Sequence, residues 1–285
     1  MRRRLLAAAF VAGLLLAPTA GGAETIERFP PPDFETDYRL PEFARRAADS
    51  PVWQIVDVVL LAAALSAMTW LLLYKRSRNG VAVMTVACLA YFGFIRGGCV
   101  CPIGAIQNVS LGLADPSFVV PWRVVIFFTL PLAFALLVGR VFCGGVCPLG
   151  AIQDVVLLKP LKVPGPLAAA LGVLPFIYLG LAVLLAATDT AFVICRYDPF
   201  VPFFRLAGPL HMFIAGLAFL LVSTFVGRPY CRFVCPYGAV LSICSRVALK
   251  RVTVTPDDCI VCGLCEDACP YDCIRKPTAE KGELP

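Results

Sequence analysis

Charge is scarce in this chain. Only 15% of its 285 residues are Asp, Glu, Lys or Arg, where a soluble domain carries about a quarter. Histidine is scarcer still. His211 stands alone, so a bis-histidine haem cannot be built from this chain by itself. There is no G-x-x-x-x-G-K-[ST] loop and no G-x-G-x-x-G turn, which leaves nucleotide binding without support. Ionisable groups are nearly missing from the long apolar stretches. Only Asp57 stands well inside one, near its outer end, which argues against a transporter that carries its ion past charged intramembrane groups.

What fills the space is apolar. The chain is 59% hydrophobic, with a mean hydropathy of +0.82. Five stretches are long enough, or nearly so, to cross about 30 Å of hydrocarbon: Val52–Tyr74, Val81–Ile95, Trp122–Val138, Pro166–Ala187 and Leu206–Val226. Backbone polar groups in lipid must be satisfied internally, so these are expected to be helices. The net charge of +6 sits between the apolar stretches, which reads as topology and not as nucleic-acid binding. Lys75–Arg78, Lys159 with Lys162, and Arg246 with Lys250 and Arg251 fall on one side if the helices alternate. The positive-inside rule makes that side the cytoplasm. The start, "MRRR" followed by "LLAAAFVAGLLLAPTA" and "GGAET", reads as an export signal over residues 1–23, cleaved near Ala23 or kept as an anchor. Residues 24–50 would then form a periplasmic arm, 51–243 a transmembrane domain and 244–285 a cytoplasmic segment.

The 14 cysteines carry the chemistry. "CIVCGLCEDACP" supplies Cys259, Cys262, Cys265 and Cys269 in the C-x2-C-x2-C-x3-C-P spacing of bacterial ferredoxin-type clusters. Such short spacing lets one loop bring three thiolates to a cubane. Zinc would call for paired knuckles from separate strands, and disulfides are disfavoured on a reducing face. Cys269 either closes its own cluster or serves a second site with Cys244, Cys273 or the membrane-surface cysteines.

A cysteine–proline–glycine turn occurs in three versions. "GRVFCGGVCPLGAIQD" (Gly139 to Asp154) and "GRPYCRFVCPYGAVLS" (Gly227 to Ser242) align without gaps, each after an apolar span. They present Cys143 with Cys147, and Cys231 with Cys235, at the expected cytoplasmic surface. The residues after each proline can start a helix whose N-terminus favours anionic thiolates. Two thiolates from each repeat could meet at one metal site; the alternative is a pair of purely structural turns. The third version, "RGGCVCPIGAIQN", carries Cys99 and Cys101 and is expected to face the periplasm with Cys195 of "CRYDPF". These three bind metal or form a disulfide, and no fourth ligand stands out. Cys88, inside a span, reads as a small hydrophobe.

The expected fold is an all-α polytopic membrane protein, about five transmembrane helices after a signal peptide, with a small cytoplasmic ferredoxin-like α+β iron–sulfur segment. The motifs "CGGVCPLGA", "CRFVCPYGA", "CRYDPF" and "CIVCGLCEDACP" resemble those of the NapH/NosR-type membrane ferredoxin-like family, which includes MauN proteins, from about Pro51 to Lys276. That resemblance implies at least one [4Fe–4S] cluster, with more if the repeated turns bind metal. It also implies electron transfer between the quinol pool or a cytoplasmic donor and a periplasmic redox partner, a flavoprotein, reductase or dehydrogenase. Two departures matter. Family members usually carry two complete ferredoxin runs and this chain has one. It also lacks a Ser/Thr-Gly-Ala-Thr flavin-attachment stretch, so a flavin, if used, comes with a separate protein. Substrate chemistry would then occur elsewhere. The alternative function is maturation or reactivation of a periplasmic metalloenzyme with the same electrons.

Overall fold

The computed structural model describes residues 51–98, 102–158, 160–205, 209–250 and, in part, 262–274. The expected signal segment and arm lie outside these residues, as do Cys99, Cys101, Cys259, Cys273 and the side chain of Cys195.

Among the described residues every regular element is helical and none is a strand. The α+β character expected of the ferredoxin-like segment falls mostly outside them. Helix α1 (Pro51–Trp70) continues through a π-helical turn, Leu71–Lys75. Arg76, at φ 49°, ends it. Ser77 then caps α2 (Arg78–Cys88) by accepting the Gly80 N–H at 3.2 Å, and a second π-helical turn, Leu89–Ile95, extends it. There follow α3 (Pro102–Ala114), α4 (Trp122–Val138), α5 (Pro148–Val155), α6 (Gly165–Leu171), α7 (Leu174–Ala187), α8 (Val193–Tyr197) and α9 (Val201–Arg205). Last come α10 (Leu210–Ser223), α11 (Pro229–Phe233), α12 (Pro236–Arg246) and α13 (Leu264–Asp267).

Three helical stretches are long and apolar enough to cross a membrane: Val52–Lys75, Arg78–Ile95 and Gly165–Ala187. The other two expected spans are shorter helices, Trp122–Val138 and Leu210–Ser223. Proline sets the start of each, at Pro121 and Pro209, and α4 stops at Gly139, whose φ of 85° suits glycine alone. The apolar surface is turned outward. On α7, Ile177, Leu181 and Leu184 are exposed while Ala182 and Ala186 are buried. Large side chains outside and small ones at the helix contacts are the arrangement expected in lipid.

The repeats exchange partners. The α5 turn helix follows α4, yet the chain just after it bonds to the end of α10: Leu158 N–H donates to Thr224 O at 3.2 Å and Leu161 N–H to Phe225 O at 2.6 Å. Reciprocally, α12 follows α10, and the chain after it bonds to the end of α4, through Leu249 N–H to Leu136 O at 2.9 Å and Lys250 N–H to Leu137 O at 3.0 Å. The two cysteine turns lie inside this exchanged pair. Asp57 has a structural partner: Arg96 Nη2 donates to its Oδ2 at 2.6 Å and Tyr91 Oη to its Oδ1 at 3.0 Å. That pair, Asp57 buried and Arg96 half-buried, pins α1 to the residues just before Gly97 and Gly98.

Candidate functional site

Both repeated turns are built alike. Each second cysteine is extended (Cys147 φ −67°, ψ 119°; Cys235 φ −62°, ψ 114°), and a proline opens the following helix at its first position, where the missing N–H is no loss. The helix N-termini then point donors at sulfur. Gly238 N–H donates to Cys235 Sγ at 3.4 Å, and the Leu149 and Gly150 N–H groups act on Cys147.

The four thiols gather. All six pairings among Cys143, Cys147, Cys231 and Cys235 lie within electrostatic reach of one another. Burial first, then Cys147, pushes Cys143 up to about 12, against the pull of Arg228 and Arg140. Burial likewise raises Cys147, Cys231 and Cys235. Among the described residues no three His, Cys, Asp or Glu side chains converge closely enough to hold a single metal ion. Four cysteines from two matching turns are the donor chemistry of a [4Fe–4S] cluster, which takes a thiolate at each iron. A dry, N–H-rich shell also suits thiolates that become anionic only on metal binding.

Several residues that the motifs did not flag hold the site. Gln153, fully buried, bridges the repeats: Oε1 accepts the Tyr230 N–H at 3.1 Å, while Nε2 donates to Leu149 O at 2.7 Å and Cys231 Sγ at 3.4 Å. The sequence offered a signal, because "AIQ" recurs after Cys101-Pro102 and Cys147-Pro148. Arg228, at φ 49°, donates to the Cys143 and Gly144 carbonyls and clasps Asp154 with Nε and Nη2. Tyr271 Oη donates to Asp154 Oδ1 at 3.0 Å, and the Arg228 guanidinium lies 5.5 Å from the Tyr271 ring. A Cβ at Gly227 would collide with the Pro270 carbonyl. The end of the ferredoxin-type run, Cys269-Pro270-Tyr271, therefore sits directly on the turn that carries Cys231. Within the run, Cys262 and Cys265 are exposed and Cys269 is half-buried. Cys244 is buried in the core and Cys88 lies in the same core. His211 is exposed at the start of α10.

Near this site lies Asp198, 4% exposed. Its carboxylate raises the Cys147 thiol, so it too is within electrostatic reach of the four-thiol group. Burial lifts Asp198 to about 6, opposed by the N–H groups of Phe200 and Val201.

Comparison with known proteins bears on the same residues. Models of 4Fe-4S binding domains match residues 120–164 and 209–254, the two repeats, and residues 252–275, the ferredoxin-type run. Protein MJ0750 of Methanocaldococcus jannaschii is 30% identical over 189 residues, covering 63% of this chain and 76% of its own length. The chain belongs to the MJ0750 family. That relative's name states no activity. Two further relatives match over shorter stretches: YccM of Escherichia coli, whose name refers to electron transport (34% over 68 residues; 24% of this chain, 19% of YccM), and MJ0749 of M. jannaschii (30% over 66 residues; 23% and 27%). No solved structure matches the chain. The 4Fe-4S matches make this MJ0750-family chain a ferredoxin-type iron–sulfur protein with at least one [4Fe–4S] cluster and a general electron-transfer role.

Proposed function

We propose that the chain is a membrane-embedded electron conduit of the NapH/NosR kind, passing electrons from the quinol pool or a cytoplasmic donor to a periplasmic redox partner. The observation that carries this reading is the junction at Arg228, where the ferredoxin-type run abuts the four-thiol site. In this reading Cys259, Cys262, Cys265 and Cys269 hold one cluster, and Cys143, Cys147, Cys231 and Cys235 hold another. Bound there, such clusters supply one-electron redox chemistry at potentials set by hydrogen bonds to sulfur and by burial.

The chain's own residues do the rest. Gln153 and the Gly238 N–H offer hydrogen bonds to sulfur. Arg228 sets a positive charge beside the thiolates, and the Asp154–Tyr271 contacts hold the run in place. A cavity of about 520 Å³ fits the proposed donor. It is lined by Leu71, Leu72, Val81 and Val86, with Arg76 and Asp154 among its polar groups, and it reaches Gly144, next to Cys143. A quinol head group held there would release its two electrons toward the four-thiol site and two protons to the medium. Five transmembrane crossings, with the carboxy-terminal run on the cytoplasmic side, complete the proposal.

The test is iron and acid-labile sulfide per chain on anaerobically purified protein, with an EPR redox titration, for wild type and Cys143→Ser/Cys231→Ser. The double variant should lose about four irons and one signal. Unchanged iron would refute the assignment. Loss of a periplasmic partner's cofactor in cells carrying the variant, with its electron supply intact, would turn the reading toward enzyme maturation.

A further inference from the structure

The two cysteine turns differ between their cysteines. Cys143-Gly144-Gly145-Val146-Cys147 in the first aligns with Cys231-Arg232-Phe233-Val234-Cys235 in the second. Gly145 is demanded by packing: a Cβ there would meet Met68 Cε at 2.3 Å and Thr85 Oγ1 at 2.8 Å. Gly144 is demanded by neither packing nor backbone. Among the described residues a Cβ there would meet nothing within 4 Å, and its φ is not positive. It stands inside the π-helical turn Phe142–Val146, where glycine is a poor choice on propensity. The second turn fills the matching place with Arg232, whose guanidinium lies 4.9 Å from the Phe233 ring. Of two matching turns, one is closed and the other is open.

The opening at Gly144 leads into the cavity of about 520 Å³. Leu72 and Val86 on its apolar wall are 41% and 54% exposed, so that wall opens sideways, toward lipid. Gly145 packs on Met68 and Thr85, each seven residues inside the basic ends at Lys75 and Arg78. At the helical rise that is about 10 Å below those ends. A carrier dissolved in the bilayer reaches such a depth from the side. The polar end of the cavity is Asp154. A carboxylate accepts about four hydrogen bonds. Arg228 Nε and Tyr271 Oη donate to Oδ1, and Arg228 Nη2 donates to Oδ2, which leaves Oδ2 room for a donor in the cavity. The Asp154 side chain is 28% exposed. Arg228 Nη2 also donates to the Gly144 carbonyl at 3.0 Å, so one guanidinium fixes the open glycine and the carboxylate relative to each other.

We propose that Gly144 and Asp154 form the quinol subsite: the ring lies over Gly144, one residue from Cys143, and Asp154 accepts the hydroxyl proton. The inference rests on the electron-conduit reading above and gives its donor a place and a base. Oxidation of the quinol breaks its two O–H bonds and leaves the quinone. Its two electrons leave one at a time toward the four-thiol site, and on to the periplasmic redox partner of that reading. Each proton passes to Asp154 Oδ2 and from there to water on the side of Arg76 and Arg78. The charged and titratable groups facing Asp154 are Arg228 and Tyr271, which bond to it, and Arg76 and Arg78, which line the same cavity.

The probe is a decyl-tailed benzoquinol, mixed with oxidised, anaerobically purified full-length protein in detergent. Cluster reduction is followed by absorbance and EPR. Gly144→Leu fills the opening. Its iron content and dithionite-reduced spectrum should match wild type, while reduction by the quinol slows about tenfold or more. Val86→Trp narrows the cavity from the facing wall and decides the matter if Gly144→Leu loses iron. In wild type the rate should rise with pH and level off as the carboxylate becomes available. Asp154→Asn should lose that rise and run about 100-fold slower. Tyr271→Phe removes a bond to the same carboxylate and should keep the rise, which separates proton acceptance from a structural role. Wild-type rates in Gly144→Leu, or in Val86→Trp where the first loses iron, would overturn the subsite, and a retained rise in Asp154→Asn would overturn the proton acceptor. A wild type that dithionite reduces and the quinol does not would overturn both and leave a conduit fed by a cytoplasmic donor. The conduit reading itself stands or falls on the Cys143 and Cys231 variant.

Discussion

Replacing Gln153 by leucine tests the site at its seam. The side chain is fully buried and spans both repeats, so the change touches one place and little else. Leucine has nearly the same volume, and packing loss should be small. The Tyr230 N–H loses its acceptor at the first turn of α11, a buried position, which costs about 1–3 kcal/mol. The Cys231 sulfur loses its donor as well. A donor favours the more negative, reduced state of a cluster. Its removal should therefore lower the midpoint potential. If about 0.5–1 kcal/mol of the hydrogen bond differs between redox states, the fall is about 20–40 mV for one electron. Denaturant unfolding in detergent and an EPR-monitored titration read the two effects separately, with iron content as the control. A fall in stability with no change in any midpoint would mean that Cys231 is not a ligand of a redox-active cluster, and the reasoning would fail.

Three other expectations follow from the same geometry. Gly227→Ala drives a Cβ into the Pro270 carbonyl; overpacking of about 1–3 kcal/mol should weaken docking of the run by about 5- to 150-fold, seen as slower electron exchange between clusters with iron unchanged. Asp57→Asn takes the carboxylate from the half-buried Arg96 and should cost about 1–3 kcal/mol in denaturant unfolding, beyond Tyr91→Phe; equal costs would argue against the ion pair. A reporter fused after Pro285 should read cytoplasmic, and periplasmic activity would overturn the proposed topology.

The repeat was legible because it is written in residue types with few other uses. Cysteine, proline and glycine in phase located both turns, and the helices begin at Pro148 and Pro236, where the missing N–H permits it. The apolar stretches were legible as helices, but of the five only three are long and apolar enough to cross a membrane. Trp122–Val138 has the expected bounds but is short for a span, and the Leu206–Val226 stretch yields a helix only over Leu210–Ser223, ended by the turn before Pro229. The braces were not legible. Gln153, Gln107 and Arg228 act through partners 74–87 residues away, and such pairings leave no local pattern.

The exchanged helices also bear on ancestry. Each repeat ends its turn helix on the other repeat's span, so neither owns a complete site or a complete seam. A lone repeat could assemble the four-thiol group only by pairing with a second copy of itself about a two-fold axis. Fusing two such halves removes the dependence on concentration and frees them to diverge. Here they have diverged. The second half carries Leu241 where the first has Gln153, and of the two matching glycines only Gly227 receives the carboxy-terminal run, Gly139 meeting nothing, while Gln153 of the first half locks both together.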